Sequence, residues 1–375
     1  MDMAAALQVH TYLVTHHVRD GALIGPDPGV RFNYRIGRFG KSYLPWIPWH
    51  DDLYYLQAQG YWILANGLLT RHGQDRFAEL ARLASRQIVR RQRADGAWDY
   101  PNREWRGRVA TVEGVWASLG LLNTFRRERR DEYLAAVLRW HTFFEAHIGF
   151  QTCRHGLAVN YFAGESSSPV PNNSVLLLRY LAALAEATGD DKYLQACPAL
   201  LDFVQHAQSP CGELPYVIGA PGKQHFQCFQ YHAFMMIDLA EYARLTGDAR
   251  AFPIAERMRT FLGGALTAAG DARYACGCEH RTVNYHTAAV AAALSLPPWS
   301  DSDSSDLAQR AYARLVSQIR PDGAVPHSRG DYRWLSDRRA YPRYLAMMAY
   351  HLLVGTHSVA PASRNRTTPQ LGAAS

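Results

Sequence analysis

The chain has 375 residues, 48% of them hydrophobic and 19% charged, an ordinary globular balance with ample material for a core. Its net charge of +7 is carried mostly by arginines scattered along the chain, which excludes a basic nucleic-acid arm and favours anionic small molecules or glycans as partners. No apolar span is long enough to cross a bilayer and no leader pattern opens the chain, so a cytoplasmic protein without an integral membrane segment is expected, with its six irregularly spaced cysteines reduced.

In chain order, a helical stretch over about 3 to 18 runs into RDGAL. The stretch WIPWHDDLYYLQAQGYW then opens an apolar helix near Asp51, and RHGQD (71 to 75) separates it from the amphipathic DRFAELARLASRQIVRRQ (75 to 92). The alternation repeats: apolar helices are expected to start near Glu113, Asn173, His232, His286 and Arg343, at steps of 54 to 62 residues. TGD at 188 to 190 and 246 to 248 supplies a glycine stop and an aspartate cap between apolar and amphipathic members. No strand pattern competes at comparable length.

A turn recurs after each amphipathic helix: Asp20-Gly21, Asp95-Gly96, His155-Gly156, Cys211-Gly212, Gly270-Asp271 and Asp322-Gly323, at steps of 51 to 60 after a first interval of 75. In these turns glycine supplies permissive backbone angles, and a structural role is the favoured reading for Asp95 and Gly96. The unit is therefore a helical hairpin with an inner apolar and an outer amphipathic helix. The last apolar helix lacks an outer partner and the first amphipathic helix lacks an inner one. Pairing the two completes six hairpins and closes a ring over 1 to 357, with 358 to 375 expected to be a disordered polar tail.

Six such hairpins resemble the (α/α)6 toroid of six-hairpin glycosidases, polysaccharide lyases, uronyl epimerases and the terpenoid cyclase and prenyltransferase group. Gln92, Asp95, Gly96 and Trp98, in the order Q-x-x-D-G-x-W, resemble the QW repeat of terpenoid cyclases. YHAFMMIDLAEYARLTGD (231 to 248) looks like the hairpins of uronyl epimerases. The resemblance implies an all-α single domain. The D-x-D-D and D-D-x-x-D motifs of cyclases and prenyl-handling enzymes are missing, HDD at 50 to 52 being the nearest run.

In a toroid the long loops and the inner-helix N-termini share one face, where partial positive charge and free N–H groups gather. The catalytic candidates stand there: His50, Asp51, Asp52, Glu113, and the matching pairs Tyr231-His232 and Tyr285-His286. Acidic groups at helix starts also serve as caps, so capping competes with catalysis for Asp51, Asp52 and Glu113. Asp52 with Glu113 is the expected acid/base pair, and the Tyr-His pairs are the expected proton handlers. Candidates for holding substrate are Trp98, Tyr161, Asn173, Tyr216, Arg281, His327, Arg329, Tyr332 and Arg343, with Arg281 and Arg343 as carboxylate clamps.

No cofactor is expected. Cys276, Cys278 and His280 are weak zinc candidates, buried thiols being the favoured reading. These features point first to an enzyme acting on an acidic, uronic-acid-containing glycan by epimerisation, β-elimination or hydrolysis. A terpenoid cyclase or prenyltransferase-like enzyme and a non-catalytic glycan- or protein-binding toroid are the alternatives. Oligomeric state is left open.

Overall fold

Helices apolar on every side belong inside a fold, and helices with a single apolar stripe belong around it. The computed structural model, which describes residues 3–28, 35–71, 75–101, 105, 107–166, 168–299 and 301–357, sorts them this way. In chain order the helices are α1 (Met3–His16), α2 (Arg35–Tyr43), α3 (Leu56–Thr70), α4 (Asp75–Arg90), α5 (Thr111–Glu128), α6 (Asp131–Phe143), α7 (Pro171–Thr188), α8 (Cys197–Ala207), α9 (Cys228–Thr246), α10 (Ala251–Leu262), α11 (Asn284–Leu294), α12 (Ser302–Val316) and α13 (Pro342–His357). Six inner helices (α3, α5, α7, α9, α11 and α13) each touch the next, and α13 touches α3, so the ring closes. Five outer helices pack on their inner partners within a hairpin, and α1 packs on α13 as the sixth pair. The chain is an (α/α)6 toroid.

The inner helices begin at 56, 111, 171, 228, 284 and 342. The first start lies five residues beyond the expected Asp51, because WIPWHDD runs as an extended loop before Leu56. Gly189 and Gly247 end their helices in the left-handed region, and Asp190 and Asp248 accept from the backbone N–H two residues on (3.0 and 3.1 Å). The expected tail, 358 to 375, lies outside the described residues, as do residues 72 to 74 of the RHGQD stop.

The recurring turns hold neighbouring hairpins together. Gly21, Gly96, Gly156, Gly212, Gly270 and Gly323 all have φ between 81° and 107°. A Cβ on each would collide with the outer helix of the following unit, at Leu83, Arg139, Ala199, Arg257, Arg310 and, across the closure, Gln8 of α1. Gln92 Nε2 donates to the Gly96 and Ala136 carbonyls (2.9 and 2.8 Å), and Gln208 repeats this with Gly212 and Ile254 (3.0 and 3.1 Å). Trp98 is buried and donates to the Ile88 carbonyl at 2.9 Å. It packs the turn and is not a substrate platform.

Short strands, which the sequence pattern did not suggest, fill the loops: β1 (Val18–Arg19), β2 (Ala22–Leu23), β3 (Phe150–Cys153), β4 (Gly156–Val159), β5 (Arg273–Ala275), β6 (Cys278–Val283), β7 (Ser328–Asp331) and β8 (Leu335–Asp337). The last four form one antiparallel sheet over the mouth of the ring, in the order β5-β6-β7-β8. β6 runs straight into α11, and its Val283 pairs with Ser328 of β7.

Burial leaves several histidines neutral. Desolvation lowers His10, His17 and His232 to about 4 and His327 and His351 to about 3, from an ordinary 6.5. Below 6.5 the unfolded chain takes up protons that the folded chain refuses, so stability is lost as pH falls. Asp238 and Asp337, raised by burial from 3.8 to about 6, act in the opposite sense over 3.8 to 6. Five such histidines outweigh these two carboxyls together with Glu113, which burial also raises. A thermal unfolding series should therefore show the midpoint falling from pH 7 to pH 5, with a loss on the order of several kcal/mol; a flat or rising midpoint would contradict the burial of these rings.

Candidate functional site

Two adjoining cavities open among the inner-helix N-termini. The central one, about 250 Å³, takes Gln57 from α3, Trp116 from α5, Asn172 and Asn173 from α7, Gln230 and Tyr231 from α9, Tyr285 from α11 and Arg343 from α13, and its wall includes the loop residues Tyr161 and Tyr216. The second, about 360 Å³, lies between the sheet and α2 and is lined by Tyr43, Arg281, His286, His327, Asp331, Tyr332 and Asp337 among others. Gln227, Tyr285 and Tyr344 line both.

The two histidines of the second cavity both contact Tyr285. His286 meets the Tyr285 ring edge-on at 4.5 Å between centroids, and His327 stacks on it at 5.8 Å. Neither His286 ring nitrogen has a well-formed hydrogen bond among the described residues. Burial holds His286 well below its usual range and His327 at about 3, and the Arg281 charge adds to both effects. Both rings are therefore neutral at physiological pH, each with one nitrogen able to accept a proton and one able to donate it. Tyr285 donates to Gln230 Oε1 at 3.2 Å, and its burial keeps the phenol protonated.

The charges here are balanced. Arg281 Nε lies 2.5 Å from Asp331, and the guanidinium covers the Tyr274 ring at 3.9 Å. Asp331 also accepts from the Ser328 hydroxyl. Asp337 accepts from Tyr341 Oη at 2.7 Å and from the Arg339 N–H at 3.1 Å. In the central cavity Arg343 donates twice to Gln57 Oε1 (2.9 and 2.6 Å), faces Asp27 at 3.4 Å and lies 4.4 Å from the Tyr55 ring. At its floor Arg179 pairs with Asp238 at 2.8 Å. Free hydrogen-bonding capacity remains at Asn172 Oδ1 and Asn173 Nδ2, which have no partner among the described residues.

Of the residues expected at the site, Tyr161, Asn173, Tyr216, Tyr231, Tyr285, His286, Arg281, His327, Tyr332 and Arg343 are brought together at these two cavities. The others are not. His50, Asp51 and Asp52 are exposed on the loop before α3; Asp52 pairs with Arg19 at 2.8 Å, and Asp51 accepts from Trp49 Nε1 at 2.8 Å. Glu113 is buried behind the wall and accepts from the Gln57 N–H at 3.1 Å, capping α3 from the neighbouring helix. Burial raises its carboxyl, which Arg343 partly opposes. Asp52 and Glu113 therefore do not face one bond. His232 is buried, with Nδ1 2.5 Å from the Cys228 carbonyl and Nε2 accepting from the Leu214 N–H at 2.6 Å, and it pins a loop. Arg329 is tied to Asp271 at 2.6 Å. Replacing Asp52 by Asn should change turnover less than about twofold, as expected for an exposed ion pair; a large loss of kcat would return Asp52 to the site.

Sequence reasoning overlooked Tyr43, Gln227, Asp331 and Asp337. The stretch SRGDYRWLSD (328 to 337), with Gly330 and its aromatic residues, was the available signal for the hairpin that carries the two aspartates. Tyr43 arrives on α2, a helix outside the six-unit repeat.

No protein-family model and no curated protein sequence matches the chain. Among solved structures, a cellobiose 2-epimerase from Bacillus thermoamylovorans superposes with a TM-score of 0.71 at 12% identity, over 93% of this chain and 98% of that one. A D-mannose isomerase superposes with a TM-score of 0.71 at 14% identity, over 94% and 96%. A possible member of glycoside hydrolase family 105 from Salmonella enterica reaches 0.67 at 14% identity, over 94% and 92%. At these identities the shared property is the (α/α)6 toroid itself. No described helix is long and apolar enough to cross a membrane.

Proposed function

We propose that this chain is a carbohydrate-active enzyme that moves a proton at a carbon beside a sugar carbonyl or carboxyl, as an epimerase or isomerase does. The observation that carries the reading is the pair of neutral imidazoles, His286 and His327, that both contact Tyr285 in one cavity wall. Epimerisation needs one group to remove a proton and another, protonated group to return it; a neutral imidazole serves as the first and an imidazolium as the second, so one of the two rings takes up a proton when substrate fills the cavity. Tyr285 and Arg281 would stabilise the enolate oxygen formed between the two steps. Aromatic walls and the free amide atoms of Asn172 and Asn173 suit the faces and hydroxyls of a sugar ring. This lining supports a sugar over a polyene. The fold shared with a cellobiose 2-epimerase and a D-mannose isomerase agrees with it.

The expected anionic substrate rested on free arginines. Arg281 and Arg343 each already face a carboxylate, so neither is left free for a substrate carboxylate, and the reading extends to neutral sugars. A hydrolytic reading is favoured by one observation, the two carboxyls Asp331 and Asp337 in the second cavity, Asp337 being held at about 6.

The test is incubation in D2O with neutral aldoses, their disaccharides and uronic acids, followed by NMR. The expected result is deuterium at C2 of a reducing sugar, or at C5 of a uronate, together with an epimer or ketose. New reducing ends without carbon-bound deuterium would overturn the proton-transfer reading in favour of hydrolysis.

A further inference from the structure

Beside the cavity, and outside the groups assigned to proton transfer, three metal-ligating side chains meet at a loop crossing, with a fourth, Cys228, against one of them. His225 Nδ1 lies 2.6 Å from Glu213 Oε1, and Cys276 Sγ lies 3.9 Å from the same oxygen. These three ligand atoms are all within 4.8 Å of one another. Cys228 Sγ lies 2.9 Å from Cys276 Sγ and accepts from the Cys276 N–H at 3.1 Å. The residues come from three segments: the loop before α9 (Glu213 and His225), the first residue of α9 (Cys228) and the turn after β5 (Cys276). Cys278 and His280, the partners that the sequence suggested for Cys276, stand apart, with Cys278 Sγ 3.9 Å from His280 Nε2.

We propose that Glu213, His225, Cys228 and Cys276 form a zinc site. Two thiols, an imidazole and a carboxylate make a four-ligand set suited to a borderline-soft divalent ion. Metal–ligand lengths of roughly 2.0 to 2.3 Å place tetrahedral ligand atoms roughly 3.3 to 3.8 Å apart; Glu213, His225 and Cys276 already lie within 4.8 Å of one another, and Cys228, just outside that group, completes the set by a further movement of its thiol. Glu213 and Cys228 are buried while half of the His225 side chain faces solvent, which gives the ion an entry path. A disulfide between Cys228 and Cys276 is the competing use of the thiol pair, and it would give Glu213 and His225 no role. The ion would tie the loop to α9 and the β5 turn. It would thereby hold Gln227, a left-handed residue in the wall of both cavities, whose side chain donates to Tyr274 Oη at 3.1 Å. The metal is assigned a positioning role.

The test reads metal and does not depend on any activity. Full-length protein purified under reducing conditions is loaded with zinc, dialysed and analysed for bound metal, and cobalt(II) is substituted to record thiolate-to-metal charge transfer. The expected result is one zinc per chain and a charge-transfer band, with affinity lowered at least about tenfold in Cys276→Ser and His225→Ala and unchanged in Cys278→Ser. Circular dichroism of each variant shows whether it is folded. Absence of stoichiometric zinc in the folded wild type, equal affinity in Cys276→Ser, or recovery of Cys228 and Cys276 as a disulfide under the same conditions would each overturn the site.

Discussion

Replacing His327 by Gln lowers turnover about 10²- to 10⁴-fold while leaving the thermal midpoint within a few degrees of wild type, and His286→Gln does the same to turnover. The asymmetry between activity and stability is the informative part. His327 keeps some solvent contact at the cavity, and among the described residues its ring makes aromatic contacts alone, so an uncharged amide of similar reach costs the fold little. The reaction loses a group whose lone pair is available at neutral pH because burial and Arg281 hold the ring at about 3. His286 is fully buried, and its replacement is read by solvent deuterium exchange as well as by kcat. If one histidine removes the proton and the other returns it, one variant still exchanges the substrate proton without inverting the centre. Retention of full epimerisation by both variants would remove the imidazole pair from the mechanism.

Substitution at the turn glycines has the largest expected effect on stability. Gly212→Ala must adopt φ near 90° and place a Cβ against the Arg257 carbonyl, and Gly323→Ala must do the same against Gln8. The left-handed conformation alone costs about 1 to 2 kcal/mol, and a backbone collision that the packed outer helix cannot relieve adds to it, for a total of at least about 3 kcal/mol. Gly219→Ala is the internal control: its φ is 78°, but nothing lies within 4 Å of the added carbon, so only the conformational part should be lost. Urea denaturation of the three variants separates the two contributions. Gly323 carries a further consequence, because its neighbour is α1 and loosening it frees the first helix from the last turn. Equal midpoints for Gly323→Ala and Gly219→Ala would show that the closure tolerates a gap.

The residues expected to carry acid/base chemistry illustrate how capping and catalysis diverge. Asp51, Asp52 and Glu113 satisfied every sequence rule for the start of an inner helix. The chain before α3 instead stays extended for several residues, leaving both aspartates in solvent, while Glu113 reaches across to cap α3. His232 and His286 occupy matching repeat positions and separate for a similar reason. The loop before α9 folds back so that Leu214 takes the His232 nitrogen, whereas β6 enters α11 directly and leaves the His286 ring facing the cavity.

By itself the sequence determined the ring: hydropathy period, glycine stops, aspartate caps and a turn recurring every 51 to 60 residues are local or periodic properties, written in the order in which the chain forms them. The inner-helix starts at Glu113, Asn173, His286 and Arg343 were legible to within two residues for that reason. Only the tertiary structure decided which polar groups share a cavity. That choice depends on long loops that pair as a short sheet, on α2 lying outside the repeat, and on contacts such as Arg343 with Asp27, 316 residues away. No local pattern encodes a partner at such a distance. Whether a charge is free or already matched, and hence what a cavity binds, is settled by which loops meet.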